Sequence, residues 1–304
     1  MNNVFIILVT YNGSKWINKC FGSLVKSSQP IKIIAIDNKS DDGTPKIIKE
    51  KYPKVKVIEN NENLGFGQAN NIGIRKAYDA GADYVLLLNQ DAWVENDTIE
   101  KLVDVAERNP RFGIVSPIHL NGTGDGLDFR FSKWVGPEFC PGFYSDLFMG
   151  NLKDKLYQTK YVNAASWFLS RKCIETVGGF NPLFFMYGED DNYLQRANYL
   201  KLNVGVYPFA RIFHDREEKE LHEAFIDPEK ILVRKLLNKY CNPACNDDIG
   251  REAYWLKRGM LKSLLKFNFK QYIAQKNDLR IITELEKEIK ITAKKSQNTG
   301  LNFL

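Results

Sequence analysis

One acidic cluster and one carboxylate at the end of an apolar run carry the chemistry most open to a first reading. Glu189, Asp190 and Asp191 stand in a row, within Tyr187-Gly188-Glu189-Asp190-Asp191-Asn192. Carboxylates this close raise one another's pKa, which brings one of them towards the working range of a general base. The same triplet also suits an acidic first helical turn, favoured by the helix dipole. Another carboxylate, Asp91, closes Asn89-Gln90-Asp91, directly after the apolar run 84–88, and Trp93 follows it. Two further apolar runs end in polar residues: one in Thr10-Tyr11-Asn12 and the other in Asp37-Asn38. Asn and Asp favour turns and caps, so each end taken singly has a structural reading. Three such ends on one sheet edge make a candidate site, because open α/β sheets bind ligands beyond the carboxyl ends of their strands.

The elements that must position these residues alternate, as in a parallel α/β sheet. Strands are predicted over 4–10, 31–37, 55–59, 82–88 and 112–116. Helices are predicted from Ser14 to about 25, from a Thr44 cap with Pro45 at the first helical position to about 51, and over 68–80, where Gly81 ends the helix. Asp97 and Glu100 suit a capping box for a helix running to about Arg108. Residues 121–160 read as irregular, with Asn-Gly-Thr-Gly-Asp-Gly as a breaker and many aromatics, among them Phe129, Phe131, Trp134, Phe139, Phe143, Tyr144 and Phe148. This stretch reads either as a lid over an acceptor or as plain packing. A strand-like run over 161–170, helices over 171–177 and 189–200, and an extended run over 204–214 follow. From about Pro228 the pattern is helical and basic.

The chain has 304 residues, 44% hydrophobic and 26% charged, enough for a sizeable core. No stretch reaches the roughly 18–20 apolar residues of a membrane span. The N-terminus has no basic region followed by a small-residue cleavage site, so a cytoplasmic chain is expected. Five scattered cysteines argue against a disulfide framework, and Cys241 and Cys245 lack partners at zinc spacing. Of the net +6, residues 251–304 carry +7, from 12 Lys+Arg and 5 Asp+Glu, and the remainder is close to neutral. A neutral α/β portion argues against a nucleic-acid binder.

Five segments, in order, resemble the inverting family-2 glycosyltransferases of GT-A fold, in particular bacterial rhamnosyltransferase-like members. They are VTYNG (9–13), IAIDNKSDDGT (34–44), NENLGFGQANNIGI (61–74), LLLNQDAWV (86–94) and VGGFNPLFFMYGEDDNYLQR (177–196). The resemblance implies a mostly parallel, Rossmann-like sheet flanked by helices over 1–228. A donor half would cover about 1–120, an acceptor and catalytic half about 121–228, and a basic helical extension 229–304. It implies a nucleotide-diphosphate sugar donor, UDP- or dTDP-linked. Asp37 would accept from the base, Thr10, Tyr11 and Asn12 would flank base and ribose with Asn38, and Gly65, Phe66, Gln68 and Asn70 would approach the nucleotide. Asn89, Gln90 and Asp91 occupy the family's Asp-x-Asp position, where a divalent cation, Mn²⁺ or Mg²⁺, bridges the diphosphate. Asp91 would be the ligand, His214 a second one, and Asn89 would reach the ribose or a metal-bound water. Having Asn at 89 should weaken metal affinity. Asp190 matches the catalytic base, with Asp191 and Glu189 beside it, and Arg196 would hold the cluster or a phosphate. Trp93 would wall the sugar or simply pack.

The acceptor implied is a saccharide or lipid-linked saccharide of surface polysaccharide assembly. In 252–270, Arg258, Lys262, Lys266 and Lys270 form a basic stripe and Leu256, Met260, Leu264 and Phe267 an apolar one. That helix would lie on an anionic inner membrane face or pack on protein, a homodimer included. Two rivals stand beside this reading. A nucleotidyltransferase would want a glycine-rich, lysine-bearing phosphate loop, which TYNGSKW supplies poorly. A catalytically weak scaffolding homologue finds support in Asn89 and opposition in the intact acidic triplet.

Overall fold

The computed structural model describes residues 2–216 and 226–304. Its elements run β1 (Val4–Thr10), α1 (Ser14–Leu24), β2 (Ile31–Asp37), α2 (Thr44–Lys51), β3 (Lys56–Glu59), α3 (Gly65–Asp79) and β4 (Tyr84–Asn89). They continue with β5 (Ala92–Val94), α4 (Thr98–Arg108), β6 (Phe112–Asn121), α5 (Phe129–Trp134), α6 (Phe143–Phe148) and β7 (Tyr157–Gln158). β8 (Ser166–Ser170), α7 (Arg171–Val177), α8 (Glu189–Tyr199) and β9 (Asn203–His214) complete the sheet, and α9 (Pro228–Tyr240), α10 (Ile249–Leu265) and α11 (Phe269–Ser296) follow.

The strand order is β3-β2-β1-β4-β8-β6-β9-β5, with β7 beside β9. β1 to β4 pair in parallel, as the helical crossovers between them require. The other half is mixed: β8 is antiparallel to β4 and β6, β9 is parallel to β6, and β5 is antiparallel to β9. β1 sends Phe5 and Ile7 to one core and Val4, Ile6 and Leu8 to the other. A strand buried on both faces therefore reads as a continuous apolar run. Each such side chain contributes about 1.5–3 kcal/mol when fully buried.

Several predicted ends differ for local reasons. Ser14 and Thr44 make no cap through their own oxygens, because Asp42 serves both helices: it accepts from Ser14 N (2.9 Å) and from Thr44 N (3.0 Å) and Oγ1 (2.6 Å). Burial works against that carboxylate, but these hydrogen bonds prevail and hold it down to about 2. The predicted capping box at Asp97 and Glu100 does not form: Asp97 pairs with Lys101, and Glu100 accepts from Ser28. α3 starts at Gly65 rather than at 68, and the fifth predicted strand runs on to Asn121. The irregular stretch 121–160 holds α5, α6 and β7, and its Phe131 and Phe143 are buried in the core, the packing alternative.

The C-terminal helices build their own core, with Leu236, Leu237, Tyr240, Ile281, Ile282 and Ile289 around Phe184. The chain end then returns to the sheet domain. Gly179 N donates to Asn302 O (2.7 Å), and Asn71 Nδ2 to Phe303 O (3.0 Å). Gly178 has φ +80°, and a Cβ there would collide with Asn302. The predicted stripe over 252–270 is interrupted. The helix turns at 266–268, with Phe267 at φ 53°, so Lys270 starts a new helix. Leu256 and Met260 are half-buried, while Leu264 and Phe267 are exposed. Among the described residues no helix is long and apolar enough to cross a membrane.

Candidate active site

A cleft of about 630 Å³ opens at the carboxyl end of β4; of the three polar strand ends, Asn89 and Asp91 line it, while Thr10-Tyr11-Asn12 and Asp37-Asn38 lie outside its wall. Its walls include Phe66, Asn89, Asp91, His214 and the whole triplet Glu189, Asp190 and Asp191. A second hollow, near 840 Å³, lies at the opposite end of β1 and β2, and no carboxylate lines it. Of the two, the first holds the clustered carboxylates.

Two strand ends are locked together beside the cleft. Buried Asp37 receives Thr10 Oγ1 (2.8 Å), Ser40 N (2.8 Å) and Ser40 Oγ (2.6 Å), which fixes its carboxylate. Gln90 bridges to the main chain of Tyr11 in both directions, at 2.9 and 3.0 Å. Gly13 leaves room for that amide, since a Cβ would collide with its oxygen. Asn12, at φ 47°, receives Asp41 N (3.0 Å). Asn38 is spent on the loop before α3: it donates to Gly65 O (3.0 Å) and accepts from Asn60 (2.9 Å). Gly65, at φ +77°, abuts Phe185 O. Asn70 bonds back to Phe66 O, and Gln68 reaches Pro182 O at 3.3 Å. Asp37 and its neighbours thus form a preorganised frame, with Phe66 the member of the α3 group on the cleft wall.

Strand register explains how Asp91 meets His214. Ala92 pairs with His214 across β5 and β9, and Asp215 N donates to Asp91 O (2.9 Å). Asp91 Oδ1 then lies 3.3 Å from His214 Nε2, and Asn89 Nδ2 is 3.5 Å from the same nitrogen. Asp128, the N-cap of α5, faces the other ring nitrogen at 3.3 Å. It also accepts from Arg216 Nε (2.6 Å). Burial alone would lower the His214 pKa, but Asp128 and Asp91 override it and raise it. Asp91, despite burial, is held below the ordinary carboxylate value by His214, with help from Arg216. Among the described residues no three His, Cys, Asp or Glu side chains cluster as a closed metal cage. What the site offers is one carboxylate and one imidazole side by side, the latter oriented by a further carboxylate. That donor set fits a cation that takes its remaining ligands from a phosphate-bearing substrate.

Gly188, at φ +103°, turns the chain into α8, which presents the acidic triplet to the cleft. Asp190 accepts from Tyr161 OH (2.8 Å) and from Asp191 N (2.9 Å), and desolvation raises its pKa against those bonds. Burial first, then the Asp190 charge, pushes Asp191 up to about 6. Glu189 is buried, its Oε2 has no partner, and desolvation followed by repulsion from Asp190 takes it to about 8. Such a cluster titrates near neutral pH, where a carboxylate can both lose and take up a proton, as general-base work requires.

Two predicted contributors, Arg196 and Trp93, lie elsewhere. Arg196 is buried behind α8, donating to Val177 O (2.8 Å), Gly179 O (2.5 Å) and Asn192 (3.2 Å), so it braces the loop before the triplet and touches no phosphate position. Asn192 itself donates to Cys241 O (3.0 Å). Trp93 stacks on Phe213 beneath Lys19, outside the cleft wall. Sequence reasoning missed Asp128 behind His214, the wall residues Arg130, Tyr161, Asn163, Arg216, Arg234 and Asn238, and Trp134 as a wall residue. None sits in a motif; Trp134 alone had a signal, the aromatic density of 121–160, and it packs against Tyr161 at 4.2 Å.

With this geometry the sequence matches Glycosyl transferase family 2 over residues 5–178, more than half of the chain. The chain belongs to that family. It is therefore a glycosyltransferase, with rhamnosyltransferase-like relatives. An N-acetylglucosaminyl-diphospho-decaprenol L-rhamnosyltransferase of Mycobacterium tuberculosis is 27% identical over 236 residues, covering 69% of this chain and 75% of the relative. A dTDP-rhamnosyl transferase, RfbF, of Shigella flexneri is 31% identical over 124 residues, 40% of each chain. Among solved structures, Staphylococcus aureus TarS 1–349 in complex with UDP-GlcNAc superposes with TM-score 0.60 at 16% identity, covering 97% of this chain and 88% of that one. GalNAc-T7 with UDP, GalNAc and Mn²⁺ gives 0.56 at 16% identity, covering 80% and 51%. These likenesses establish the GT-A fold.

Proposed function

We propose that this glycosyltransferase moves a sugar, with inversion, from a UDP- or dTDP-linked donor onto a saccharide or lipid-linked saccharide acceptor of surface polysaccharide assembly. One observation carries the reading: a hydrogen-bonded carboxylate of raised pKa, Asp190, shares a cleft with the Asp91–His214 pair. A single displacement needs a base at the acceptor hydroxyl and charge neutralisation at the leaving diphosphate, on opposite faces of the sugar.

Asp190 takes the acceptor proton, and Tyr161 OH holds its carboxylate in place. Burial keeps its pKa high, and Glu189 and Asp191 flank it on the cleft wall. The Asp37 frame receives the base and ribose, and Phe66 walls the nucleotide. Asp91 and His214 would hold a divalent cation, Mn²⁺ or Mg²⁺, which supplies positive charge to the departing diphosphate. Asp128 orients the imidazole, and Arg216 adds fixed positive charge beside it.

The names of the relatives support a rhamnosyl donor and a diphosphate-lipid acceptor. Purified Asp190→Asn, given dTDP-rhamnose or UDP-sugars with an acceptor, should keep donor affinity and lose transfer a hundredfold or more. Full turnover by this variant would place the base elsewhere. Anomeric analysis of the wild-type product tests inversion directly.

A further inference from the structure

α10 and α11 form an antiparallel hairpin whose base packs in the C-terminal core and whose tip stands clear of it. Phe267 at its tip is 14 residues before Ile281, the first buried α11 residue, so the tip projects about 20 Å beyond that contact. Ser263, facing inward, donates to Gln275 (3.0 Å) across the pair. The opposite side is bare. Tyr254, Arg258, Leu261 and Leu265 fall on one stripe at helical spacing, all exposed. Around them Trp255 is 58% exposed, Leu265 73% and Phe267 80%, and Phe269 and Ile273 continue the surface onto α11. Residues 253–277 carry six cations, Lys257, Arg258, Lys262, Lys266, Lys270 and Lys276, and no Asp or Glu.

We propose that this hairpin tip seats in the interface of an anionic phospholipid bilayer. Charge selects the occupant. A second copy docking here would set six cations against six, whereas anionic headgroups neutralise them. Exposed leucines and isoleucine give no purchase on nucleic acid, but they bury well at the acyl boundary, with Trp255, Tyr254 and the phenylalanines at headgroup level. The inference is independent of the donor and of the base.

Sedimentation with vesicles of phosphatidylcholine alone, and with 30% phosphatidylglycerol, tests it on the full chain. Wild type should bind the second at 100 mM salt, lose most binding at 500 mM, and ignore the first. Lys257→Gln/Lys262→Gln/Lys266→Gln should bind roughly a hundredfold more weakly, at about fivefold per charge. Leu261→Glu/Leu265→Glu, both exposed and so compatible with folding, should also lose binding. No binding by wild type, or equal binding by both variants, overturns the proposal. So does a dimer in light scattering that Leu261→Glu/Leu265→Glu reverts to monomer, which would make the surface a self-contact. Donor binding in a thermal-shift assay should be the same in all three proteins.

Discussion

Glu189→Gln isolates the electrostatic strain in the acidic triplet. Glu189 is buried at the start of α8, with one carboxylate oxygen unpartnered and its pKa raised from 4.5 to about 8 by burial and then by Asp190 and Asp191. The sign follows from linkage. Below about 4.5 the folded and unfolded states both hold the proton, and the site costs nothing. Between about 4.5 and 8 the unfolded chain releases it while the folded chain keeps it. Folding stability therefore falls by about 1.4 kcal/mol per pH unit, to a full loss of at most roughly 5 kcal/mol above pH 8. Gln has the same shape and does not ionise. Relative to wild type, the variant should gain about 2–3 kcal/mol between pH 5.5 and 7.5. Urea unfolding of both proteins at pH 5.5, 6.5, 7.5 and 8.5 reads this out, and the difference removes the titration of His214 common to both. Parallel stability curves would refute the account, because they would mean Glu189 ionises in the fold at its ordinary pKa.

The remaining predictions concern the two sides of the cleft and its frame. Tyr161→Phe removes a donor that favours ionised Asp190, so the acid limb of the kcat/KM profile should move up by about one pH unit, with activity recovering above it. An unmoved limb would separate Tyr161 from the base. With UDP or dTDP at a hundredfold excess over Kd, wild type plus Mn²⁺ should gain ~2.7 kcal/mol of apparent stability. EDTA or Asp91→Ala should remove most of that gain, and a gain indifferent to both would exclude a cation at Asp91. Gly13→Ala should push Gln90 off the Tyr11 main chain, costing about 1–3 kcal/mol and weakening donor binding about tenfold. Unchanged unfolding and Kd would show that the frame tolerates the loss.

The first four strands were legible because local rules and fold agree there. Apolar runs made β1, β2 and β4, and their polar ends met on one edge. The strand ends sit where a parallel sheet puts them, so Thr10, Asp37 and Asp91 group together on sequence alone. Their partners were harder to see. Asn38 and Gln90 looked like ligand-facing residues, yet the structure spends their amides on main-chain groups of neighbouring loops. A polar side chain at a strand end has two outlets, and only the packed loop decides between them. Arg196 misled in the same way: helical spacing placed it near the triplet, while the buried carbonyls of Val177 and Gly179 drew it to the opposite side. Tyr161, Arg234 and Asn238 come to the cleft from β8's approach and from α9, at sequence separations that carry no periodic signal.

Asn89 shows how local reading and assembled electrostatics can differ. Counting carboxylates along 89–91 suggests a site one charge short. The folded cleft restores that charge from a distance: Asp128, 37 positions after Asp91, caps α5 with one oxygen and faces His214 with the other. Its cap bond to Phe131 N fixes the side chain before any ligand arrives, and the same α5 brings Arg130 and Trp134 to the cleft. His214 is thereby held between two carboxylates, while Asn89 adds a neutral amide at 3.5 Å. An aspartate at 89 would put a third negative charge on this ring, and Arg216 is already engaged with Asp128. Asn at 89 is thus consistent with the Asp128 arrangement: the carboxylate moves from the strand end to the far side of the imidazole. There it orients the ring and leaves Asp91 the acidic group on the cleft wall beside it, the side proposed for the diphosphate. On this argument Asn89→Asp alone should not strengthen metal-dependent donor binding, whereas paired with Asp128→Asn it should.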